Sequence, residues 1–104
     1  GPTFHLIKNG KKSAEIRLRK GFFKNLESDT CIKWINGAMD EGYLTYLPYV
    51  KKDNSLSKLL ETLGVDKVLP GVDNLYTGTE IIENKYGVKN IRKYGLVGFT
   101  IVPL

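Results

Sequence analysis

Hydrophobic residues along this chain recur at two spacings, and each spacing predicts a different element. From Ser13 to Arg19 apolar and polar positions alternate. Ala14, Ile16 and Leu18 point one way, and Ser13, Glu15, Arg17 and Arg19 the other. A period of two is the mark of a strand, here half-buried with an ionic face. Cys31 to Asn36 predicts a second strand, with Ile32 and Trp34 opposite Lys33. Gly42 to Val50 is rich in tyrosine and β-branched residues and predicts a third, to which Pro48 assigns an edge position. The period then changes. Leu56, Leu59, Leu60 and Leu63 recur at helical spacing behind Ser55, a capping residue, and Gly64 stops them. After a turn at Leu69-Pro70-Gly71, a second helix starts at Asp73 or Thr77 and runs through Ile81, Ile82 and Tyr86 to Gly87. Leu96 to Val102 is dense in apolar side chains, as a strand buried on both faces would be. Near the start, Phe4, Leu6 and Ile7 share one side of a short helix that ends at Asn9-Gly10.

The order of helix, three strands, two helices and strand predicts an α+β fold. The strands would close into a small β-barrel of about five strands, with short helices at its ends. No linker or repeat divides the chain, so residues 3–104 read as one domain and Gly1-Pro2 as the remnant of an expression tag. With 104 residues, 41% of them hydrophobic, the chain can bury a core without staples. No apolar run approaches the ~20 residues that span a bilayer, so no membrane partner is expected, and the domain reads as a monomer.

Cysteine and histidine usage narrows the chemistry. Cys31 is the only cysteine, which excludes an internal disulfide and metal sites built on cysteine pairs. It fits a reducing, intracellular and cytoplasmic setting, and its side chain is expected to be buried and inert. His5 is the only histidine, expected at the surface or at a helix cap, so multi-histidine metal sites and histidine-pair ribonuclease chemistry are excluded too. The acidic residues are too scattered for a magnesium site. No metal and no cofactor are expected, and any reaction must run on Lys, Glu, Asp, Tyr, Ser or Thr.

The net charge of +5 is unevenly placed. Residues 1–24 hold seven basic side chains against the single acid Glu15, while the rest of the chain holds nine basic and ten acidic ones. A field concentrated in one segment suggests an anionic partner, nucleic acid before a membrane surface. Within that segment, Gly10-Lys11-Lys12-Ser13-Ala14-Glu15-Ile16-Arg17 is a glycine turn that delivers a lysine to the mouth of a strand. Alternation then sets Glu15, Arg17 and Arg19 side by side.

The same eight residues read G-x-K-x-x-E-x-R, which resembles the signature of the ASCH domain, named after an activating signal cointegrator and related in fold to PUA domains. Phe4 to Lys12 resembles that family's opening, and Ser28-Asp29-Thr30, Leu69-Pro70-Gly71, Tyr86-Gly87 and Tyr94-Gly95-Leu96-Val97 resemble its later landmarks. The resemblance implies a PUA-like barrel with a cleft lined by the motif. It also implies RNA binding or, in some members, hydrolysis of RNA or of acetylated cytidine. Carried over by position, Lys12, Glu15 and Arg17 are the cleft residues. In the acetylcytidine amidohydrolase branch a threonine nucleophile stands where this chain has Glu15, and Glu15 offers no hydroxyl.

The leading expectation is therefore a single-stranded RNA-binding domain, or one that binds a modified nucleoside. Lys11, Lys12, Glu15, Arg17, Arg19, Lys20 and Lys24 form its basic binding surface, with Lys12 and Glu15 as candidate catalytic groups. As a hydrolase, Lys12 would act as base or electrostatic partner and Glu15 as general acid/base. A third reading is a protein-interaction module, free or within a larger parent polypeptide. Phe22 and Phe23, adjacent in the basic loop, offer one ring for stacking on a base and one for the core. Trp34 and the tyrosines are expected in the core and sheets first, with one tyrosine as a candidate floor for the cleft.

Overall fold

The computed structural model describes Ile7 and residues 9–36 and 41–104. The expected first helix lies outside the described residues for Thr3–Leu6 and Lys8, as do the Gly1-Pro2 remnant and His5. Ile7 is helical and buried, and its carbonyl accepts from Gly10 N–H, where φ is +81°.

Six strands follow: β1 (Ala14–Leu18), β2 (Thr30–Asn36), β3 (Glu41–Leu47), β4 (Val50–Asp53), β5 (Leu96–Thr100) and β6 (Val102–Pro103). The helices α1 (Leu56–Leu63), α2 (Val65–Val68), α3 (Leu75–Tyr86) and α4 (Val88–Tyr94) run consecutively between β4 and β5. Ser55 caps α1 by accepting from Lys58 N–H, as the leucine spacing predicts. α3 is capped by Asn74, one residue after the earlier expected start and three before the later one, through Thr77 N–H.

The strands do not close into a barrel, and the expected PUA-like barrel is corrected accordingly. They form two three-stranded antiparallel sheets, ordered β1-β5-β4 and β2-β3-β6. Two strands predicted as continuous are each broken, and these breaks make the two sheets. Pro48, which has no N–H to donate, ends the run from Glu41. The Tyr49 carbonyl takes Thr100 N–H at 3.0 Å, and the chain re-enters as β4 in the first sheet. Beside it, Ile101 separates β5 from β6 and donates to the Ser13 carbonyl at 2.8 Å. Closure would need β1 and β2 to pair. Between them lies a layer of side chains instead, in which the Arg17 guanidinium sits 5.2 Å from the Phe23 ring centroid and 5.7 Å from that of Trp34. Phe23 comes from a 3-10 turn, Gly21–Asn25, inserted after β1.

β5 is buried on both faces, as its sequence predicts, and divides the core in two. On one side Ala14, Ile16, Leu18 and Leu96 pack against the helices through Leu59, Leu60, Val68 and Ile82. On the other, Val97, Phe99 and Ile101 meet Leu26, Ile32 and Leu47 between the sheets. The polar face of β1 therefore does not look into water; Glu15 is only 3% exposed. Cys31, expected in the core, is exposed on β2. Alternation places it opposite Ile32 and Trp34, on the outer face of the second sheet.

Candidate functional site at the open edge of the first strand

Among the described residues β1 pairs with β5 on one side only, so its other edge carries backbone groups that no described strand satisfies. At Ile16 side chains do it instead. The Glu15 carboxylate accepts Ile16 N–H through Oε1 at 3.2 Å, and the Tyr86 hydroxyl donates to the Ile16 carbonyl at 2.9 Å. Tyr86 is the last residue of α3, held over the edge by the turn at Gly87.

The same carboxylate joins the two cations of the motif. Lys12 Nζ lies 3.2 Å from Glu15 Oε1 and also donates to the Val68 carbonyl at the end of α2. Arg17 Nη2 lies 3.2 Å from Glu15 Oε2. Lys12 is 5% exposed, and it and Glu15 are the buried charged residues of the core. Burial lowers the pKa of the Lys12 amine; Glu15 opposes that shift by charge and hydrogen bond, and Lys85 and Arg17 reinforce it. Burial also pushes the Tyr86 hydroxyl up to about 12, with the Glu15 charge adding to the effect and Arg17 opposing it.

Lys12, Glu15, Ile16 and Tyr86 line a cavity of about 220 Å³, with Val68 to Pro70 and Ile82 and Lys85 of α3 as its other walls. A second cavity, of about 190 Å³, lies along the same strand edge, with Arg17, Leu18, Lys20 and Phe23 in its walls. Tyr86 belongs to both and stands between them. Chemically the first cavity offers an amine that burial makes easier to deprotonate, beside a carboxylate, the Tyr86 hydroxyl oxygen and the Lys85 cation. That set suits an uncharged polar or anionic group and can exchange protons with it. Among the described residues no group of three or more His, Cys, Asp or Glu comes together that could hold a metal ion, and no helix is long and apolar enough to cross a membrane.

Of the seven expected binding residues, the fold brings Lys12, Glu15 and Arg17 together and puts Lys20 at the second cavity. Lys11, Arg19 and Lys24 are exposed and line neither cavity. Lys11 N–H bonds the Asn9 side chain, and Arg19 lies past the end of β1 with its N–H on the Gly95 carbonyl. Alternation alone had set Arg19 beside Arg17, but β1 ends at Leu18. Of the two phenylalanines, Phe23 is the one that packs on the core. Phe23 stacks on Phe99 at 5.9 Å, while Phe22 is 68% exposed and meets Phe23 edge-on at 5.2 Å.

Of the site residues, the sequence did not single out Lys85, and it named Tyr86 only as a helix residue, a family landmark and one of several tyrosines eligible to floor the cleft. Tyr86 follows Ile82 by four positions and so falls on the packed stripe of α3. That signal marks a covered ring and says nothing of where its hydroxyl goes.

No family model and no curated protein matches the sequence. Solved structures do. The crystal structure of a protein described as hypothetical superposes with a TM-score of 0.82 at 27% identity, covering 99% of this chain and 92% of that one. The solution NMR structure of a protein from Pyrococcus furiosus gives a TM-score of 0.74 at 28% identity, covering 99% of this chain and 90% of that one. The whole fold recurs in both. Neither description names a ligand or an activity.

Proposed function

We propose that this chain is an ASCH-type nucleic-acid-binding domain. It acts inside the cell and takes one base of a single-stranded RNA, or a modified nucleoside, into the cavity beside Lys12, Glu15 and Tyr86. One observation carries the reading: the buried lysine and carboxylate of the G-x-K-x-x-E-x-R motif are spent on a cavity large enough for one small group, at an open strand edge. Desolvating two charges costs several kcal/mol each, an arrangement that plain surface charge would avoid. Arg17, Lys20 and Lys85 around the two cavities favour a partner that carries phosphate.

The test is fluorescence anisotropy of fluorescein-labelled ten-nucleotide oligo(A), oligo(C) and oligo(U) RNA, alongside free nucleosides followed through Trp34. Wild type, Lys12→Met and Lys85→Ala are compared over a salt series. Lys85 is exposed, so its replacement leaves folding intact. Saturable binding that weakens with salt and with both substitutions is expected. Binding that neither substitution changes, or none to RNA or nucleoside at low salt, would rule the cavity out as the site.

A second reading, hydrolysis in the same cavity, rests on the lowered pKa of Lys12 beside Glu15. It expects Glu15→Gln to abolish turnover of an RNA or acetylated-cytidine substrate while binding persists. Retained turnover in that variant would remove Glu15 from any mechanism.

A further inference from the structure

The first cavity does not stand alone on the edge of β1. Ile16 lines the first and Leu18 the second, two strand residues apart, or about 7 Å. The Tyr86 ring is common to both, and its hydroxyl is tied to the Ile16 carbonyl. The second cavity is built from different chemistry. Arg17 and Lys20 supply positive charge, Phe23 an aromatic wall, and there is no acid in its lining. Arg17 Nε is buried and has no acceptor among the described residues, although Nη2 holds Glu15. Next to this wall Phe22 presents an exposed ring, held edge-on to Phe23.

A phenylalanine among Arg19, Lys20 and Lys24 that leaves 68% of its surface exposed contributes little to the core. A flat apolar ring set in positive charge suits a nucleobase, whose face stacks while its phosphate meets the cations. Tyr94 cannot take that role as freely, since the ammonium groups of Lys20 and Lys93 lie 4.9 and 5.2 Å from its ring centroid.

We infer that the strand edge is a two-nucleotide site in which Tyr86 separates the units, the second cavity holds the phosphate of the adjoining nucleotide against Arg17 and Lys20, and Phe22 stacks on its base. This rests on the reading of the first cavity as a base site and narrows its ligand to single-stranded RNA of at least two nucleotides. A free nucleoside would use only half of the groove.

The test compares wild type, Phe22→Ala and Phe22→Tyr. The probes are fluorescein-labelled ten-nucleotide oligo(A), oligo(C) and oligo(U), with unlabelled dinucleotides and nucleosides as competitors. Loss of one base–aromatic stack should weaken Phe22→Ala by about five- to 150-fold, with Phe22→Tyr restoring affinity. The slope of log affinity against log salt should not move, because no charge is removed. Dinucleotides should compete better than nucleosides. If Phe22→Ala stays within twofold of wild type, or nucleosides compete as well as dinucleotides, the two-nucleotide site is wrong. A simultaneous loss of binding in Lys12→Met and Lys85→Ala would still leave the first cavity as a base site. Failure of wild type to bind any of the probes would overturn both.

Discussion

Replacing Lys12 by methionine keeps the length of the side chain and removes its ammonium. Three consequences follow from the geometry. Glu15 Oε1 loses a cation at 3.2 Å, the Val68 carbonyl loses its donor, and the cost of keeping an ammonium out of water disappears. The first two destabilise and the third stabilises. Stripping one partner from a buried ion pair costs about 3–5 kcal/mol, because the other charge is left behind. Here Arg17 remains on Oε2 and Ile16 N–H on Oε1, which brings the expected loss to about 2–4 kcal/mol. Glu15→Gln leaves Lys12 the Val68 carbonyl and a neutral amide oxygen in place of the carboxylate charge, and should cost about 1–3 kcal/mol. In the double variant neither charge is stranded, so its loss should fall short of the sum by about 1–3 kcal/mol. Urea unfolding at neutral pH, followed by Trp34 as the sole tryptophan, gives all four stabilities. Because both side chains are buried, the coupling should survive high salt. A coupling below about 0.5 kcal/mol, or one that salt abolishes, would mean that the pair is not the energetic unit described above.

Tyr86→Phe should cost about 1–3 kcal/mol by leaving the Ile16 carbonyl without a donor. It should also alter the alkaline limb of the stability curve. The folded Tyr86 holds its proton to about 12 against the 10.0 of an unperturbed tyrosine, so its contribution is full below pH 10 and is lost as pH rises through about 12. Tyr43, also raised to about 12 by burial, contributes in the same sense, and urea midpoints between pH 9 and 12 should show a shallower fall in the variant than in wild type. Gly98→Ala should destabilise by about 1–3 kcal/mol, since an added Cβ would lie 2.8 Å from Leu63 Cδ1 and 3.1 Å from Leu59 Cδ2, where α1 packs on β5. Thermal melts that leave this variant at the wild-type midpoint would contradict that packing. Phe22→Ala, by contrast, should change urea stability by less than about 0.5 kcal/mol.

The elements that the chain announces by local pattern are those that one face decides. The leucines of α1 and the alternation of β1 each name a single buried side, and both are found where the pattern puts them. The barrel failed for the opposite reason. Whether strands close a ring depends on long-range pairing, and the breaks at Pro48-Tyr49 and Ile101 are set by hydrogen bonds to Thr100 and Ser13, residues far away in sequence. The same limit applies to the site. The motif names Lys12, Glu15 and Arg17 because they share one strand and its turn. Lys85 and Tyr86 reach it from a helix some 70 residues on, and the bond from Tyr86 to Ile16 spans that gap. Burial was misjudged as well. Polar side chains alternating with apolar ones read as a wet face, yet Phe23 of the 3-10 turn and Trp34 of β2 lie against Arg17 on that face, and Glu15 beside it is buried.

The edge of β1 left unpaired among the described strands also bears on self-association. A free strand edge is a template for another chain, and proteins commonly blunt such edges with charged or bulky groups. Here the blunting groups are Glu15 and Tyr86, which occupy the one amide and the one carbonyl that a foreign strand would need at Ile16. On the proposed reading, the two side chains that would meet a ligand are also the two that would hinder sheet-to-sheet association. Stripping both, as in a Glu15→Ala, Tyr86→Ala double variant, would open the edge to self-association as well as empty the groove.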